Sequence, residues 1–539
     1  MRGLWLPLVA AGLRAAALPG WWAGGLAVLA VVPRIAWWER AGSGRRRFLG
    51  DWLGGTLFWV LAFSFLANTF WAMPFGPAPI LGLWWAAEGA LYSRLRRRVP
   101  TTLAAVLAIT LVEYLRARWP MGGVPWASWG LGLDGFPGAL RAAEVVGEGG
   151  VSLLALLAGA FLVALFRRQS RAELLVFPAA VALVAGAGLF RREAVALEPI
   201  DTLSIQPSIE VDQKSLRGGS QGIFETHLRL GEAAVAADAV LPELLVWAET
   251  MFLFPVIADD SEGEVHLPRR SGPPATYPAG MILDWQAQGA RDAGAILAPH
   301  GWFLTGAHFY GALPEGSPGP DLSPRSSETL AFRPDGSLYT QSRKTELVPF
   351  GERLPFGGRF PGARAIADAI YRVFGLHPSF QAGDGVSPLQ LPRADGEPMR
   401  LGTAICWENV FESVFRRQAG AGAEAFLVLS NEAWFGTRAE MDQMVAATRF
   451  RAAESGRAVL RSTNTGVTQL VAGGGEVLAG LPRGQEGVFR APLPRVSAGH
   501  RTLYLAGGWR LVPLAALLAA LALALPRRKH NPPQTRSSA

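Results

Sequence analysis

The sequence predicts an α/β protein in two parts: a polytopic bundle of about eight transmembrane helices, and a water-exposed domain with a mixed sheet layered with helices. Three observations predict it. Half of the 539 residues are hydrophobic, only 17% are charged and mean hydropathy is positive at +0.22, too apolar for an ordinary soluble chain of this length. The apolar runs are long before residue 200 and short after it. Between about 195 and 505, strand-like and helix-like patterns alternate, the signature of a layered sheet.

A spanning helix needs about 20 apolar residues. Runs of that kind lie near 3–18, 20–37, 52–72, 77–95, 101–117, 149–167 and 172–190, with an eighth near 509–526. The first pair is short and tightly joined at Pro19-Gly20. No small-x-small cleavage site followed by polar sequence accompanies it, so the first run is read as retained rather than as a signal peptide. The basic clusters set the orientation. Arg40, Arg45, Arg46 and Arg47; Arg94, Arg96, Arg97 and Arg98; Arg167, Arg168 and Arg171; and Arg527, Arg528 and Lys529 all fall on one side of eight spans. The positive-inside rule makes that side cytoplasmic. Arg191 and Arg192 fall on the other side, ahead of a domain long enough to translocate regardless. The expected division is a bundle over 1–194, an extracytoplasmic domain over 195–505, a last helix over 506–528 and a cytoplasmic tail over 529–539. The net charge of +8 is carried almost wholly by arginine, and many of these arginines flank apolar runs, so it reads as a topology signal rather than a nucleic-acid surface. Nineteen tryptophans suit a chain with wet–apolar boundaries.

In the outer segment, strands are expected at 202–209, 243–249, 302–309, 328–334, 401–407, 425–431 and 458–464, and helices near 222–238, 279–293, 408–418 and 438–455. Residues 255–280, 311–327 and 353–386 read as loops, the last rich in aromatic residues.

Several chemistries are poorly supported. Seven histidines show no paired metal-ligand spacing, and one cysteine excludes thiolate clusters. No metal and no cofactor is expected. GGSQG around Ser220 matches a nucleophile-elbow pattern, but it sits in a polar stretch without a supporting Asp/His order. What remains is a cysteine, a glutamate and a lysine. Cys406 ends a strand-like run; it is either a small core hydrophobe or a nucleophile whose pKa is lowered by the N–H groups of a strand-to-helix junction. Glu249 follows the apolar LLVW; it is either a helix-start acid or a half-buried base with a raised pKa. Lys344, one of three lysines, is either a solvated strand end or a cation for an oxyanion.

The order Glu249, Lys344, Cys406, with Glu408 two residues after the cysteine, resembles the carbon–nitrogen hydrolase (nitrilase) superfamily. Together with the membrane frame it resembles, more narrowly, the apolipoprotein N-acyltransferases. The matching segments are ITLVEYLRARWPMGGVPWASWG (109–130), SIQPSI, VWAET, KTELVPFGERLPF, GTAICWENVF, SNEAWFG and RSTNTGV. The resemblance implies an α-β-β-α sandwich on a bundle of eight helices, in a bacterial inner membrane with the sandwich on the periplasmic side. It implies that Glu249 is the general base, Lys344 the catalytic lysine and Cys406 the acylated nucleophile. Glu352 and Glu408 support the site, and the Trp407 N–H helps form an oxyanion hole. Glu113, Arg116, Pro125 and Trp126 match a membrane-arm motif, and Asn431, Trp434 and Phe435 match possible pocket residues. The implied reaction is acyl transfer from a phospholipid, phosphatidylethanolamine by analogy, to the N-terminal amine of a diacylated apolipoprotein, by a monomer that binds no nucleic acid. A tethered amidase using water, and a silent lipoprotein-binding relative, are the alternatives. The chain departs from the family pattern at Ala248, where proline is usual, at Trp407, where tyrosine is frequent, and at QPSI; Val211 to Lys214 lack an expected tryptophan.

Overall fold

The computed structural model describes residues 3–20, 23–42, 44–210, 219–238, 240–267, 274–316, 322–374, 378–436 and 438–526. The expected tail 529–539, the basic cluster Arg527 to Lys529, and Val211 to Lys214 lie outside them. So do Gly218 and the side chain of Ser220 in the elbow-like motif. The chain forms two compact units. One comprises 1–142, 146–189 and 507–539; the other comprises 143–145 and 190–506.

The first unit is helical: α1 (Trp5–Ala16), α2 (Leu26–Arg40), α3 (Arg45–Ala62), α4 (Pro77–Leu95), α5 (Thr101–Arg116), α6 (Pro137–Phe166), α7 (Arg171–Gly188) and a C-terminal helix Leu511–Ala522. A helix falls on each of the eight expected spans. Among the described residues, α6 and α7 are long and apolar enough to cross a membrane, with mean hydropathies of 2.3 and 1.5. Helix α6 starts earlier than the apolar run that predicts it, because amphipathic turns precede Gly147, where φ is 72° and breaks the helix. The loop after α5 is held by its own motif. Arg116 donates to the Val124 and Trp126 carbonyls, and Glu113 accepts from the Trp129 N–H at 3.0 Å. Buried backbone of this kind needs such partners away from water.

The second unit contains β1 (Ala196–Gln206), α8 (Ser220–Asp238), β2 (Leu244–Trp247), β3 (Glu264–Leu267), β4 (Ala275–Pro278), α9 (Ala279–Gly294), β5 (Trp302–Tyr310), β6 (Arg325–Phe332), β7 (Leu338–Arg343), α10 (Ala363–Phe374), β8 (Leu389–Pro392), β9 (Pro398–Ile405), α11 (Glu412–Gly420), β10 (Ala425–Ser430), α12 (Arg438–Ser455), β11 (Val459–Thr463), β12 (Gln469–Val471), β13 (Val477–Gly480) and β14 (Gly487–Val496). Two six-stranded sheets form, ordered β14-β1-β2-β5-β6-β7 and β13-β12-β11-β10-β9-β8. Their central strands are parallel and buried on both faces, so LLVW and AFLVLS read as unbroken apolar runs. One core joins the sheets: Leu244, Val246 and Leu304 meet Leu401, Leu427, Leu429 and Leu460. Each such side chain contributes roughly 1.5–3 kcal/mol by leaving water. On the outer face of the first sheet, Ile223 and Phe224 of α8 and Ala290 and Ala293 of α9 pack on Leu203, Leu245 and Trp247. On the second, Gln418 of α11 bonds both the N–H and C=O of Thr403, at 2.8 and 2.7 Å. The layers therefore run helix, sheet, sheet, helix.

Three loop expectations are corrected. Residues 255–280 hold the β3–β4 hairpin, and 311–327 hold the start of β6. Residues 353–386 hold a 3₁₀ turn at Pro355–Gly358 and helix α10, whose Ala363 and Ala367 pack with Leu354. Glycines and prolines on either side of that helix hide its 3.6-residue period.

Candidate active site

The site forms where two parallel strands end. β2 ends at Trp247, and Glu249 follows it; β9 ends at Ile405, and Cys406 follows it. Both ends turn sharply. Thr250 has φ 54° and Cys406 has φ 50°, in the left-handed region that non-glycine residues rarely enter. Such strained positions collect at functional sites, where packing holds them. The third residue, Lys344, directly follows β7.

Lys344 is 1% exposed, which removes the reading of a solvated strand end. Its Nζ lies 2.8 Å from Glu352 Oε1 and 3.7 Å from Glu249 Oε1. The other Glu352 oxygen accepts the Val348 N–H at 2.8 Å, which fixes the VPFGE turn around the lysine. Burial alone would lower the ammonium pKa, but the Glu352 and Glu249 carboxylates outweigh it and hold Lys344 charged. Glu249 is 9% exposed. Its Oε2 accepts the Asn431 N–H at 3.1 Å, and its carboxylate also meets the Cys406 thiol. Burial raises its pKa against the pull of Lys344.

Cys406 is partly accessible rather than core. The expectation of a lowered thiol pKa is corrected. Burial raises it, and the carboxylates of Glu249, Glu352 and Glu440 add to that, so that Lys344 does not compensate. The resting sulfur is therefore a thiol, and it needs a base. Glu408 is a bonding hub for the turn. Its Oε1 accepts from the N–H and hydroxyl of Thr345 at 2.8 and 3.0 Å, and its Oε2 from the Ile405 N–H at 2.9 Å. It thus ties the segment after Lys344 to the segment before Cys406. Burial raises the Glu408 pKa in spite of these bonds.

Asn431 links further. Its side chain donates to Thr250 Oγ1 at 3.2 Å and accepts from Asn464 at 3.0 Å; Asn464 in turn bonds the backbone of Ile209 in the QPSI segment. Trp407 is half-buried and stands edge-on to Phe411 at 5.7 Å. Trp434 and Phe435 are half-buried in and just after the 3₁₀ turn Glu432–Trp434. Trp126 belongs to the helical unit, packed 5.7 Å from Phe65. The structure therefore brings together Glu249, Lys344, Glu352, Cys406, Glu408 and Asn431.

Three contributors are missing from the sequence reading. A Cβ on Gly306 would come within 2.8 Å of the Glu249 Cα, so only glycine lets β5 lie under that carboxylate's backbone. Arg461 of β11 is buried, ion-paired with Glu432, and drawn down to about 10 by burial although the nearby cysteine opposes that. Asn464 reaches 255 residues along the chain to Ile209, a distance no local pattern reports. Among the described residues no cluster of His, Cys, Asp and Glu suited to a metal is found. A thiol, a carboxylate base and a fixed cation permit acyl transfer through a covalent thioester.

The family described as "Apolipoprotein N-acyltransferase N-terminal domain" matches residues 10–161, which include Glu113, Arg116 and Trp126. The family described as "Carbon-nitrogen hydrolase" matches residues 311–500, which include Lys344, Glu352, Cys406 and Glu408; Glu249 lies upstream of that match. The chain is 27% identical to the apolipoprotein N-acyltransferase of Allorhizobium ampelinum, over 89% of this chain and 87% of the relative. It is 24% identical to that of Chlorobaculum tepidum, over 96% and 95%. It is 27% identical to that of Bradyrhizobium diazoefficiens, over 94% of each. Among solved structures, a carbon–nitrogen hydrolase from Helicobacter pylori is similar at 17% identity and a TM-score of 0.34, over 54% of this chain and 88% of that one. Saccharomyces cerevisiae Nit3 is similar at 15% and 0.36, over 60% and 97%.

Proposed function

We propose, for a chain that belongs to the apolipoprotein N-acyltransferase family, that it transfers an acyl chain from a membrane phospholipid to the α-amino group of a diacylated apolipoprotein. The observation that carries this reading is the convergence of Glu249, Lys344 and Cys406 from three strand ends, in a chain with a helical unit of the same family.

The reaction runs in two halves. Glu249 takes the Cys406 proton as the sulfur attacks a phospholipid acyl ester, with phosphatidylethanolamine the donor. The ester carbonyl becomes an oxyanion, which Lys344 and the backbone N–H of Trp407 stabilise. Lysophospholipid leaves with the proton from Glu249, and a thioester remains on Cys406. The amine of the S-diacylglyceryl cysteine attacks that thioester. The amide forms, the C–S bond breaks, and the thiol is restored. Covalent catalysis divides one difficult ester-to-amide exchange into two easier steps. Glu352 holds Lys344 in place, Glu408 holds the nucleophile turn, and Asn431, Trp434 and Phe435 border the acyl pocket.

The accompanying topology has eight helices in a bacterial inner membrane, both termini cytoplasmic and residues 195–505 on the periplasmic side. The four basic clusters on one side support it. The enzyme acts as a monomer. The test is mass spectrometry of the purified protein after exposure to phospholipid. An acyl adduct on Cys406 that a diacylated lipopeptide discharges is expected. An adduct on another residue, or discharge to water alone, overturns the reading.

A further inference from the structure

Helix α12 carries a carboxylate that the proposed reaction leaves without a role. Its face toward the nucleophile turn is set by two contacts: Asn409 Nδ2 donates to the Met444 carbonyl at 2.8 Å, and Thr448 Oγ1 donates to Asn409 Oδ1 at 3.1 Å. Glu440, Met444 and Thr448 recur every four residues, so they share one helix face. Glu440 lies one turn before Met444 on that face, close enough that its carboxylate raises the Cys406 pKa. It is 2% exposed, and its Oε2 is buried without a hydrogen-bond partner among the described residues. Other buried carboxylates around the sulfur are satisfied: Glu249 by Asn431 and Lys344, Glu352 by Lys344 and Val348, and Glu408 by three backbone N–H groups and a hydroxyl. A desolvated carboxylate oxygen with no donor is unfavourable unless a donor arrives.

We propose that Glu440 recognises the acceptor: it receives the α-ammonium group of the incoming lipopeptide and takes one proton from it beside the thioester. This rests on the acyl-transfer reading above. The protons balance. The ammonium must lose one proton before its nitrogen can attack; Glu440 accepts it and later releases it to water. The second N–H proton leaves the tetrahedral intermediate through Glu249 to the departing Cys406 sulfur, as the C–N bond forms and the C–S bond breaks. Burial raises the Glu440 pKa to about 8, close to the 7.7–8.0 of an α-amino group, so proton transfer to its ionised form is nearly balanced in energy.

The test uses the full-length protein and separates the half-reactions. Glu440→Gln, with Glu440→Met as a second variant that removes the unpaired oxygen, is acylated with phospholipid and followed by mass spectrometry. Acyl-adduct formation on Cys406 is expected within about threefold of the parent, which also reports that the variant is folded. Discharge to a diacylated lipopeptide is expected to slow by roughly 10²-fold. Discharge to hydroxylamine, which attacks as a neutral nucleophile, is expected to be unchanged. Equal slowing with both nucleophiles, slowed acylation in both variants, or unchanged transfer to the lipopeptide overturns the assignment to Glu440. A parent enzyme that never forms the adduct instead overturns the acyl-transfer reading itself.

Discussion

The two sheets reach the site with different chemistry. The first supplies Glu249 after β2 and Lys344 after β7, a carboxylate and a cation that face each other across 3.7 Å. The second supplies Cys406 after β9, the thiol that the proposed reaction activates. Both sheets use a parallel strand followed by a left-handed residue, Thr250 in one and Cys406 in the other. The difference is in what fixes the turn. Glu249 is placed by a glycine below it and by an N–H from the opposite sheet. Cys406 is placed by Glu408 of its own turn, which also reaches across to Thr345. Neither sheet alone holds a competent site, so reactivity depends on the packing between them.

That comparison can be broken from either side. Cys406→Ala should have the largest effect: no acyl adduct and no transfer, with thermal unfolding in detergent little changed, because a small half-buried side chain is lost. From the other sheet, Glu249→Gln and Lys344→Met should each slow adduct formation by roughly 10²–10⁴-fold. They should differ in stability. Glutamine fills the same space, whereas loss of Nζ leaves Glu352 and Glu249 buried without their cation, which costs about 3–5 kcal/mol. Equal melting temperatures for the two would show that the lysine is not the counter-ion. Gly306→Ala pushes on the Glu249 backbone and should cost roughly tenfold to a hundredfold in acylation rate. The Gly306→Ala variant should still be discharged by hydroxylamine once acylated.

Smaller effects follow from protonation. Glu249 must be ionised to accept the thiol proton, and its pKa is raised. The acidic limb of the acylation rate should therefore lie above the ordinary glutamate value of about 4.3, and rates should fall as pH drops through it. Glu440 gives a stability signature. Its folded-state pKa of about 8 exceeds the 4.5 of an unperturbed glutamate, so the folded state binds this proton more tightly than the unfolded state does. Its contribution is fully present below 4.5 and is lost as pH rises toward about 8. Subtracting the pH–stability curve of Glu440→Gln from that of the parent should isolate this slope; a flat difference would count against a buried, unpaired carboxylate.

The sequence showed the strand ends clearly and their surroundings poorly. LLVWAE and LGTAICW are short apolar runs that stop at a polar group, and both become parallel strands buried on two faces. Lys344 stood out because the chain otherwise uses arginine. Strand β14 escaped notice because it contains Pro492 and Pro494; it is an edge strand, where proline is tolerated. Glu440 sits in RAEMDQM, which reads as a solvated helix start, and only tertiary packing buries it. Gly306 lies in WFLTGAHF, an ordinary strand until the Glu249 backbone is laid against it. Helices were legible as apolar runs, while the buried Arg34–Glu88 pair between α2 and α4 had no signature in spacing.

The raised thiol pKa has a consequence outside turnover. Peroxides and disulfides react with thiolates far faster than with thiols. With substrate absent, Cys406 stays protonated among carboxylates, so the sulfur that must be nucleophilic for an instant is a poor target for oxidants the rest of the time. A cysteine held here as a free thiolate would be open to oxidation to sulfenic and sulfinic acids. The same burial that makes a base necessary should therefore slow oxidation of the resting thiol.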